Sequence, residues 1–193
     1  MTETPTPIPE LAARAKAATS ALAVASTAEK NTALHAAADL LVARADSIIH
    51  ANGVDVARAE ANGMEAPLVD RLRLDLARIE GMAGGLRQVA SLRDPVGEIT
   101  EGWVRPNGLR IEKVRVPLGV VAIIYESRPN VTSDAFGLCL KSGNVAFLRG
   151  SSSAISSNLA ISAVLREALP KAGLPADALV LVDDITREAA TEF

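Results

Sequence analysis

The chain has 193 residues, 49% of them hydrophobic and 22% charged, and this apolar content excludes an intrinsically disordered protein. Its length suits one well-buried domain, or one and a fraction. The formal net charge of −3 gives no electrostatic basis for binding nucleic acid or an anionic membrane, and we expect neither as a partner.

The amino-terminal half is predicted to be helical. Residues 1–8 are polar and rich in Pro and Thr, and we expect a flexible tail there. A helical lead-in should follow over residues 9–92, because apolar residues recur at spacings of three and four. The apolar stripe of its first helix is Leu11, Ala15, Ala18, Leu22 and Ala25.

Capping and breaking residues predict the boundaries inside this lead-in. Ser26, followed three residues later by Glu29, matches a capping box and should start a second helix. That helix should run to about Gly53, and a short helical piece should end at Gly63. Pro67 should then open one long helix that continues to about residue 90.

Residues 101–116 predict a β-hairpin arm. Asn107-Gly108 indicates a two-residue turn, and the second arm alternates apolar and charged residues, so one of its faces should be wet. Because a two-stranded ribbon is marginal alone, we expect the arm to pack on another subunit of a homo-oligomer or on a further part of the protein. Trp103, in the first arm, is interpreted as a packing residue.

The remaining residues, 117–193, predict a βαβαβ unit. Residues 119–125 form an uninterrupted apolar run, which is typical of a fully buried parallel strand. Two further strands alternate with helices, which predicts an α/β fold with part of a doubly wound parallel sheet. The chain stops at Phe193 as another helix begins, and we interpret this as truncation. The predicted later elements are helices at 131–141 and 153–169 and strands at 144–149 and 178–182.

Two strand ends carry polar groups suited to a ligand. One is the segment 125–130, and the other is 149–153, where an arginine and a glycine precede three serines. Free backbone N–H groups at a helix start, with hydroxyls and a guanidinium, suit a phosphate. The alternative is that the serines only cap a helix and Arg149 is solvated. A G-x-G-x-x-G motif does not occur, and Gly81 and its neighbours Gly84 and Gly85 are expected to permit close helix packing.

The same two segments carry a family resemblance. Residues 117–132, which include the string ESRPNVT, and residues 139–150 resemble the γ-glutamyl phosphate reductase family of the aldehyde dehydrogenase superfamily. The resemblance extends over nearly the whole chain and implies that the parallel sheet binds a dinucleotide. Members of that family are about twice as long, so the resemblance implies that the catalytic domain is absent here.

The resemblance also implies an activity. The family reduces L-glutamyl 5-phosphate to L-glutamate 5-semialdehyde with NADPH and releases phosphate, in proline biosynthesis. Its cysteine nucleophile forms a thioester, and that cysteine lies in the missing part. We therefore expect this chain to carry the cofactor-binding part and to be inactive alone. The alternatives are another aldehyde or acyl-CoA dehydrogenase of the superfamily, or a non-catalytic fragment.

For the cofactor, the resemblance places NADP(H) at the two strand ends. Ordinary NAD-using members commonly carry a carboxylate just after the strand-end cation, whereas three serines follow Arg149 here. Hydroxyls and a guanidinium can bind a 2′-phosphate that a carboxylate would repel. The expected cofactor-binding residues are Ser127, Arg149, Gly150, Ser151 and Ser152.

For the substrate, the resemblance implies two further residues. Asn130 is the nearest candidate for the amide that stabilises the oxyanion, and the alternative is a turn residue after Pro129. Arg128 is the candidate for binding the substrate's phosphate or carboxylate, and the alternative is an ion pair with Glu126.

Cys139 and the two histidines are expected to take no part in the chemistry. Cys139 is the only thiol, which excludes an internal disulfide, and its apolar surroundings predict a buried, inert side chain that is not the nucleophile. His35 and His50 have no partner at ligand spacing, so no metal site is expected. Residues 1–10 lack the features of a signal peptide, and we expect a cytoplasmic protein.

Overall fold

A computed structural model describes residues 5–193. Residues 1–4 of the predicted tail lie outside this range. Five helices precede the strands: α1 (Ile8–Val24), α2 (Thr27–Ala43), α3 (Ala45–Ala61), α4 (Ala66–Leu72) and α5 (Leu76–Ser91). The later elements are β1 (Ile99–Val104), β2 (Arg110–Val114), β3 (Val120–Ile124), α6 (Asn130–Lys141), β4 (Val145–Arg149), α7 (Ile155–Ala168), β5 (Leu179–Leu181) and α8 (Arg187–Glu192).

The second helix begins where the sequence predicts it, and the first begins one residue earlier, at Ile8, which was assigned to the flexible tail but is buried. In α1 the side chains of Leu11, Ala15, Ala18 and Leu22 are buried, as their spacing requires. The capping box at the start of α2 is present, because the Ser26 hydroxyl accepts the Glu29 N–H and the Glu29 carboxylate accepts the Ser26 N–H. Two orphan donors of the helix start are thereby satisfied.

Two predicted long helices are each broken in two. The predicted second helix ends at Ala43, since Arg44 leaves helical geometry, and α3 then continues through Gly53 to Ala61. The helix predicted from Pro67 breaks after Leu72, and Asp75 caps α5 by accepting the Arg78 N–H.

The second break is held by a residue distant in sequence. The buried side chain of Asn52 on α3 donates to the Leu72 carbonyl at 2.8 Å and accepts the Leu74 N–H at 2.7 Å. It therefore satisfies backbone groups that a continuous helix would have paired internally.

The parallel sheet has the order β3-β4-β5. The crossover helices α6 and α7 cover one face, while α1 contacts all three strands and covers the other. The central strand, β4, is buried from Val145 to Leu148. The prediction that β3 is fully buried is wrong, because it forms one edge of this sheet and Ile124 at its end is 62% exposed.

The hairpin is present, but its turn differs from the predicted one. β1 and β2 pair antiparallel, and the Gly108 N–H donates to the Arg105 carbonyl around Pro106 and Asn107. Gly108 has a φ of +84°, so the loop is a three-residue turn that ends in a left-handed glycine. All of β1 and most of β2 are exposed to solvent on both faces, whereas the sequence predicted solvent exposure of one face.

Close helix packing occurs at a glycine other than those predicted. A Cβ at Gly81 or Gly84 on α5 would meet no atom within 4 Å, so the expectation of close packing is wrong there, and a Cβ at Gly85 would be in ordinary contact with α6, 3.8 Å from the Asp134 Oδ1 atom. On α6, a Cβ at Gly137 would lie 2.8 Å from the Leu86 Cδ2 atom, and this glycine lets α6 approach α5. No helix within residues 5–193 is long and apolar enough to cross a membrane.

Candidate functional site

The loops after β3 and β4 meet at the carboxyl edge of the sheet, because neighbouring parallel strands end on the same side. The Ser127 hydroxyl lies 3.2 Å from that of Ser151 and 2.6 Å from that of Ser153, and the latter two are 2.7 Å apart. The structure thus brings together two of the predicted serines, and it adds Ser153, which was not in the predicted set.

Arg149 ends β4 and is directed at the loop before α8. Its Nη2 donates to the Thr186 carbonyl at 2.8 Å, while its buried Nε has no acceptor among residues 5–193. Hydrogen bonds from the N–H and the side chain of Thr186 lower the pKa of Asp184, and the nearby positive charge of Arg149 adds to this. Of the five N–H donors of the guanidinium only one is used within residues 5–193, so donors remain for a ligand.

Gly150 is required by packing under the loop. A Cβ there would lie 2.2 Å from the Asn158 Nδ2 atom and 3.1 Å from the ring of Tyr125. Below it, the Tyr125 hydroxyl is 2.7 Å from that of Thr132, which donates to Asn158 at 3.2 Å. Gly150, which was predicted to bind the cofactor, thus leaves space for this polar network in the structure.

The start of α7 differs from the expectation of free backbone donors. The N–H groups of Ser156 and Ser157 donate to the buried carboxylate of Asp55 on α3, at 3.2 and 2.7 Å. For these two amides the prediction of a phosphate site is wrong, because a protein carboxylate already satisfies them.

Arg58 is a second residue that sequence reasoning missed. It pairs with Asp55 and donates to the Ser152 carbonyl at 3.2 Å, so a second cation lies beside the serine loop. Ser152 itself is exposed and lines a cleft of about 260 Å³ together with Arg58, Ser153 and Ile185. The only local signal is an Asp and an Arg three residues apart on α3, about a hundred residues before the loop.

Arg128 and Asn130 face a larger cleft of about 500 Å³. Helices α4, α5 and α6 and the loops beside them form its walls, and the lining holds four arginines against two aspartates, a net charge of +2. Its lining residues are Asp70, Arg71, Arg73, Leu74, Arg78, Gly81, Met82, Arg128, Asn130 and Asp134. Such a cleft favours a small ligand with more negative than positive charge.

The four guanidinium groups differ in how far they are paired. Arg78 is held by both carboxylate oxygens of Asp70, and Arg73 lies 2.9 Å from the Glu60 carboxylate. Arg128 lies 3.4 Å from Glu126, so the alternative ion pair is present, but both side chains are largely exposed. Arg71 has no carboxylate of residues 5–193 within 4 Å.

Asn130 is the first residue of α6, and its side chain lies along the first turn. Its Nδ2 donates to the Asp134 Oδ2 atom at 3.0 Å, which uses one of the two amide hydrogens. Partial desolvation raises the pKa of Asp134, although this hydrogen bond acts in the opposite direction. One amide hydrogen of Asn130 is left for a ligand.

Residues 2–193 match the model of the aldehyde dehydrogenase family. The chain belongs to the aldehyde dehydrogenase family. Within it, the chain is 54% identical over 184 residues to a γ-glutamyl phosphate reductase of Mesorhizobium japonicum, covering 95% of this chain and 43% of the relative. A γ-glutamyl phosphate reductase of Caldanaerobacter subterraneus is 55% identical over 177 residues, covering 92% and 43%.

Solved structures of the aldehyde dehydrogenase family support the same family assignment. The crystal structure of γ-glutamyl phosphate reductase from Thermotoga maritima superposes with a TM-score of 0.95 and 43% identity, over 97% of this chain and 45% of that one. A probable aldehyde dehydrogenase of Listeria monocytogenes, with a TM-score of 0.71 and 19% identity over 94% of this chain and 37% of that one, shares the fold. The α/β fold and the resemblance to γ-glutamyl phosphate reductases are confirmed, and the chain spans about 43% of the curated relatives' length.

The one thiol of this aldehyde dehydrogenase chain lies away from both clefts. Cys139 is buried on α6, as predicted, and burial raises the pKa of its thiol to about 11. His35 and His50 are exposed on α2 and α3. Among residues 5–193 no three His, Cys, Asp or Glu side chains are grouped so that they could hold a metal ion.

Proposed function

We propose that residues 1–193 form the cofactor-binding part of an NADP-dependent γ-glutamyl phosphate reductase, a cytoplasmic oxidoreductase of proline biosynthesis. The observation that carries the proposal is the similarity to proteins of that name, at 54% identity over 95% of the chain. The reaction converts L-glutamyl 5-phosphate and NADPH to L-glutamate 5-semialdehyde, NADP⁺ and phosphate. We infer that the cysteine nucleophile lies in a part of the protein beyond residue 193.

The donors at the carboxyl edge of the sheet fit the phosphates of NADP(H). Hydroxyls of Ser127, Ser151 and Ser152, the guanidinium of Arg149 and the backbone at Gly150 would hold the cofactor, which supplies the hydride when bound. The buried Nε of Arg149, without an acceptor among residues 5–193, supports this assignment. Charge-assisted hydrogen bonds to phosphate are stronger than those between neutral groups. In addition, no carboxylate lies within residues 149–153 to repel a 2′-phosphate.

The larger cleft would hold the substrate. Arg128 would bind one of its anionic groups, and the remaining amide hydrogen of Asn130 would donate to the oxygen on which charge develops. A donor aimed at developing charge is worth about 3 kcal/mol in such reactions. The lining charge of +2 complements a substrate that carries a phosphate and a carboxylate.

The first test is the reaction itself, in the protein encoded by the whole reading frame that contains residues 1–193, called the complete enzyme below. Purified protein with L-glutamate 5-semialdehyde and NADP⁺ should reduce the cofactor only when phosphate is added. Dependence on coenzyme A instead of phosphate would favour an acyl-CoA dehydrogenase. A reading frame that ends at Phe193, with no turnover, would favour the non-catalytic alternative.

The second test concerns cofactor choice. Arg149→Ala in the complete enzyme should raise KM for NADPH about tenfold or more, because a charged hydrogen bond to the 2′-phosphate is lost. KM for NADH, which lacks that phosphate, should change by less than about twofold. The control is Arg93→Ala, whose side chain is 82% exposed. Equal losses for the two cofactors would remove Arg149 from this role.

A further inference from the structure

Two of the glycines of α5, Gly81 and Gly84, are not explained by packing. Glycine in a helix interior costs about 1 kcal/mol relative to alanine, and α5 carries three, at positions 81, 84 and 85. A Cβ at Gly81 or Gly84 would meet nothing within 4 Å. Gly81 differs from Gly84 in lining the 500 Å³ cleft, where any larger side chain would project into the ligand space.

Asp134 supplies a free acceptor in the same cleft. Its Oδ2 accepts from Asn130, whereas its Oδ1 accepts no hydrogen bond from residues 5–193. None of the four arginines that line the cleft lies within 4 Å of this carboxylate. The cleft therefore holds, besides the paired Asp70, one carboxylate that is open to a cationic ligand group.

Arg71 supplies the complementary free donor. It lines the cleft and has no carboxylate of residues 5–193 within 4 Å, while Arg78 is occupied by Asp70. A free guanidinium and a free carboxylate in one cleft match the two charges of an α-amino acid group. An aldehyde or acyl group without an amino substituent would leave the carboxylate unpaired.

We infer that this cleft selects substrates by their α-amino acid end. Asp134 accepts hydrogen bonds from the α-ammonium group, Arg71 binds the α-carboxylate, and Gly81 keeps the wall open for them. The inference rests on the proposed reductase function and adds to it the residues that distinguish an amino-substituted substrate from its deamino analogue.

The test compares two aldehydes in the complete enzyme. L-Glutamate 5-semialdehyde and 5-oxopentanoate have the same carbon chain, and only the first carries an amino group. The wild type should prefer the first in kcat/KM, and Asp134→Asn should reduce that preference about tenfold or more, because a carboxylate–ammonium pair is replaced by a neutral amide. Asp39→Asn, on the exposed surface of α2, is the matched control.

A second pair of variants separates cleft blocking from helix effects. Gly81→Leu and Gly84→Leu both remove a helix glycine from α5, but only the first places a side chain in the cleft. Gly81→Leu should raise KM for the semialdehyde about tenfold or more with KM for NADP⁺ unchanged, since only the substrate's space is filled. Gly84→Leu should leave both constants within about twofold.

The outcomes separate the two levels of inference. An active wild-type enzyme whose preference between the aldehydes is unchanged by Asp134→Asn would overturn the role of the cleft and leave the reductase function standing. A shift in KM for NADP⁺ in Gly81→Leu would assign the cleft to the cofactor instead. A folded wild type without phosphate-dependent turnover of either aldehyde would overturn the proposed function, and this inference with it.

Discussion

At the scale of single residues, burial decides the reactivity of Cys139. A thiol with a pKa of about 11 carries the thiolate in about one molecule in 10⁴ at neutral pH, and the thiolate is the reactive form. Cys139 should therefore resist iodoacetamide in the native complete enzyme and react once the protein is unfolded, as measured by peptide-resolved mass spectrometry. Cys139→Ala should keep most turnover, and loss of turnover in a folded variant would place the active site elsewhere.

Asp94 stabilises the fold through a buried charge pair. The Lys30 side chain is 1% exposed, and its Nζ lies 2.5 Å from the Asp94 carboxylate, which also accepts from Thr27 at 2.7 Å. Burial alone would raise the pKa of Asp94, but the bonds from Lys30, Thr27 and the Val96 N–H outweigh it and lower the pKa. Asp94→Asn should cost about 3–5 kcal/mol, because the buried ammonium loses its partner.

The sign of the pH dependence follows from the lowered pKa of Asp94. Its stabilising contribution is present above the unfolded pKa of about 3.9 and is lost as pH falls through the lower folded value. The Tm difference between wild type and Asp94→Asn should thus be constant from pH 5 to 8 and shrink below about pH 4. Asp39→Asn, 73% exposed beside Arg87, should shift Tm little. A difference that grows on acidification would contradict the pairing.

The predicted site is partly local and partly not. Ser127 and Ser151 follow adjacent parallel strands, so their proximity could be predicted from the order of strands in the sequence. The amides that start α7 donate to Asp55, which lies about a hundred residues earlier in the chain, and no local sequence pattern indicates this hydrogen bond. Nor does spacing indicate Arg71, because the cleft exists only once α5 packs beside α6.

At the scale of elements, the hairpin arm is the least covered. β1 is exposed along its whole length, and Trp103 is 46% exposed. We predict that deleting residues 101–114 from the complete enzyme gives a smaller species in sedimentation, because a two-stranded ribbon is stabilised by packing on a partner. An unchanged sedimenting mass would show that the arm holds no subunit contact.

Helix positions were predictable, but helix breaks were not. The spacing of apolar residues indicates which face of a helix is buried, and it does not indicate where the helix is interrupted. The buried face continues from Leu41 to Ala45 and Ile48 across the break at Arg44. The break before α5 depends on Asn52, a tertiary partner that supplies the missing backbone bonds. Capping residues such as Ser26 act within one turn, which is why the start of α2 was predicted correctly.

At the scale of the whole molecule, the exposed apolar surface predicts poor folding of residues 1–193 alone. Leu118, Val116 and Ile124 are 86%, 74% and 62% exposed beside the open edge of β3. Such an edge and patch favour association with other chains. The 193-residue chain should therefore be partly molten or aggregate. A sharp cooperative thermal transition, with dispersed amide signals in NMR spectra, would contradict this.

The position of α1 on the sheet has a consequence for synthesis on the ribosome. Arg14 is paired at 2.7 Å with Asp177, 163 residues later, and α1 covers strands that are translated after α2–α5. Helices α2 and α5 can pack together as they emerge, whereas α1 lacks most of its docking surface until β4 and β5 have left the exit tunnel. Helix α1 thus docks after the four helices that follow it, and until then its apolar stripe is available to a chaperone.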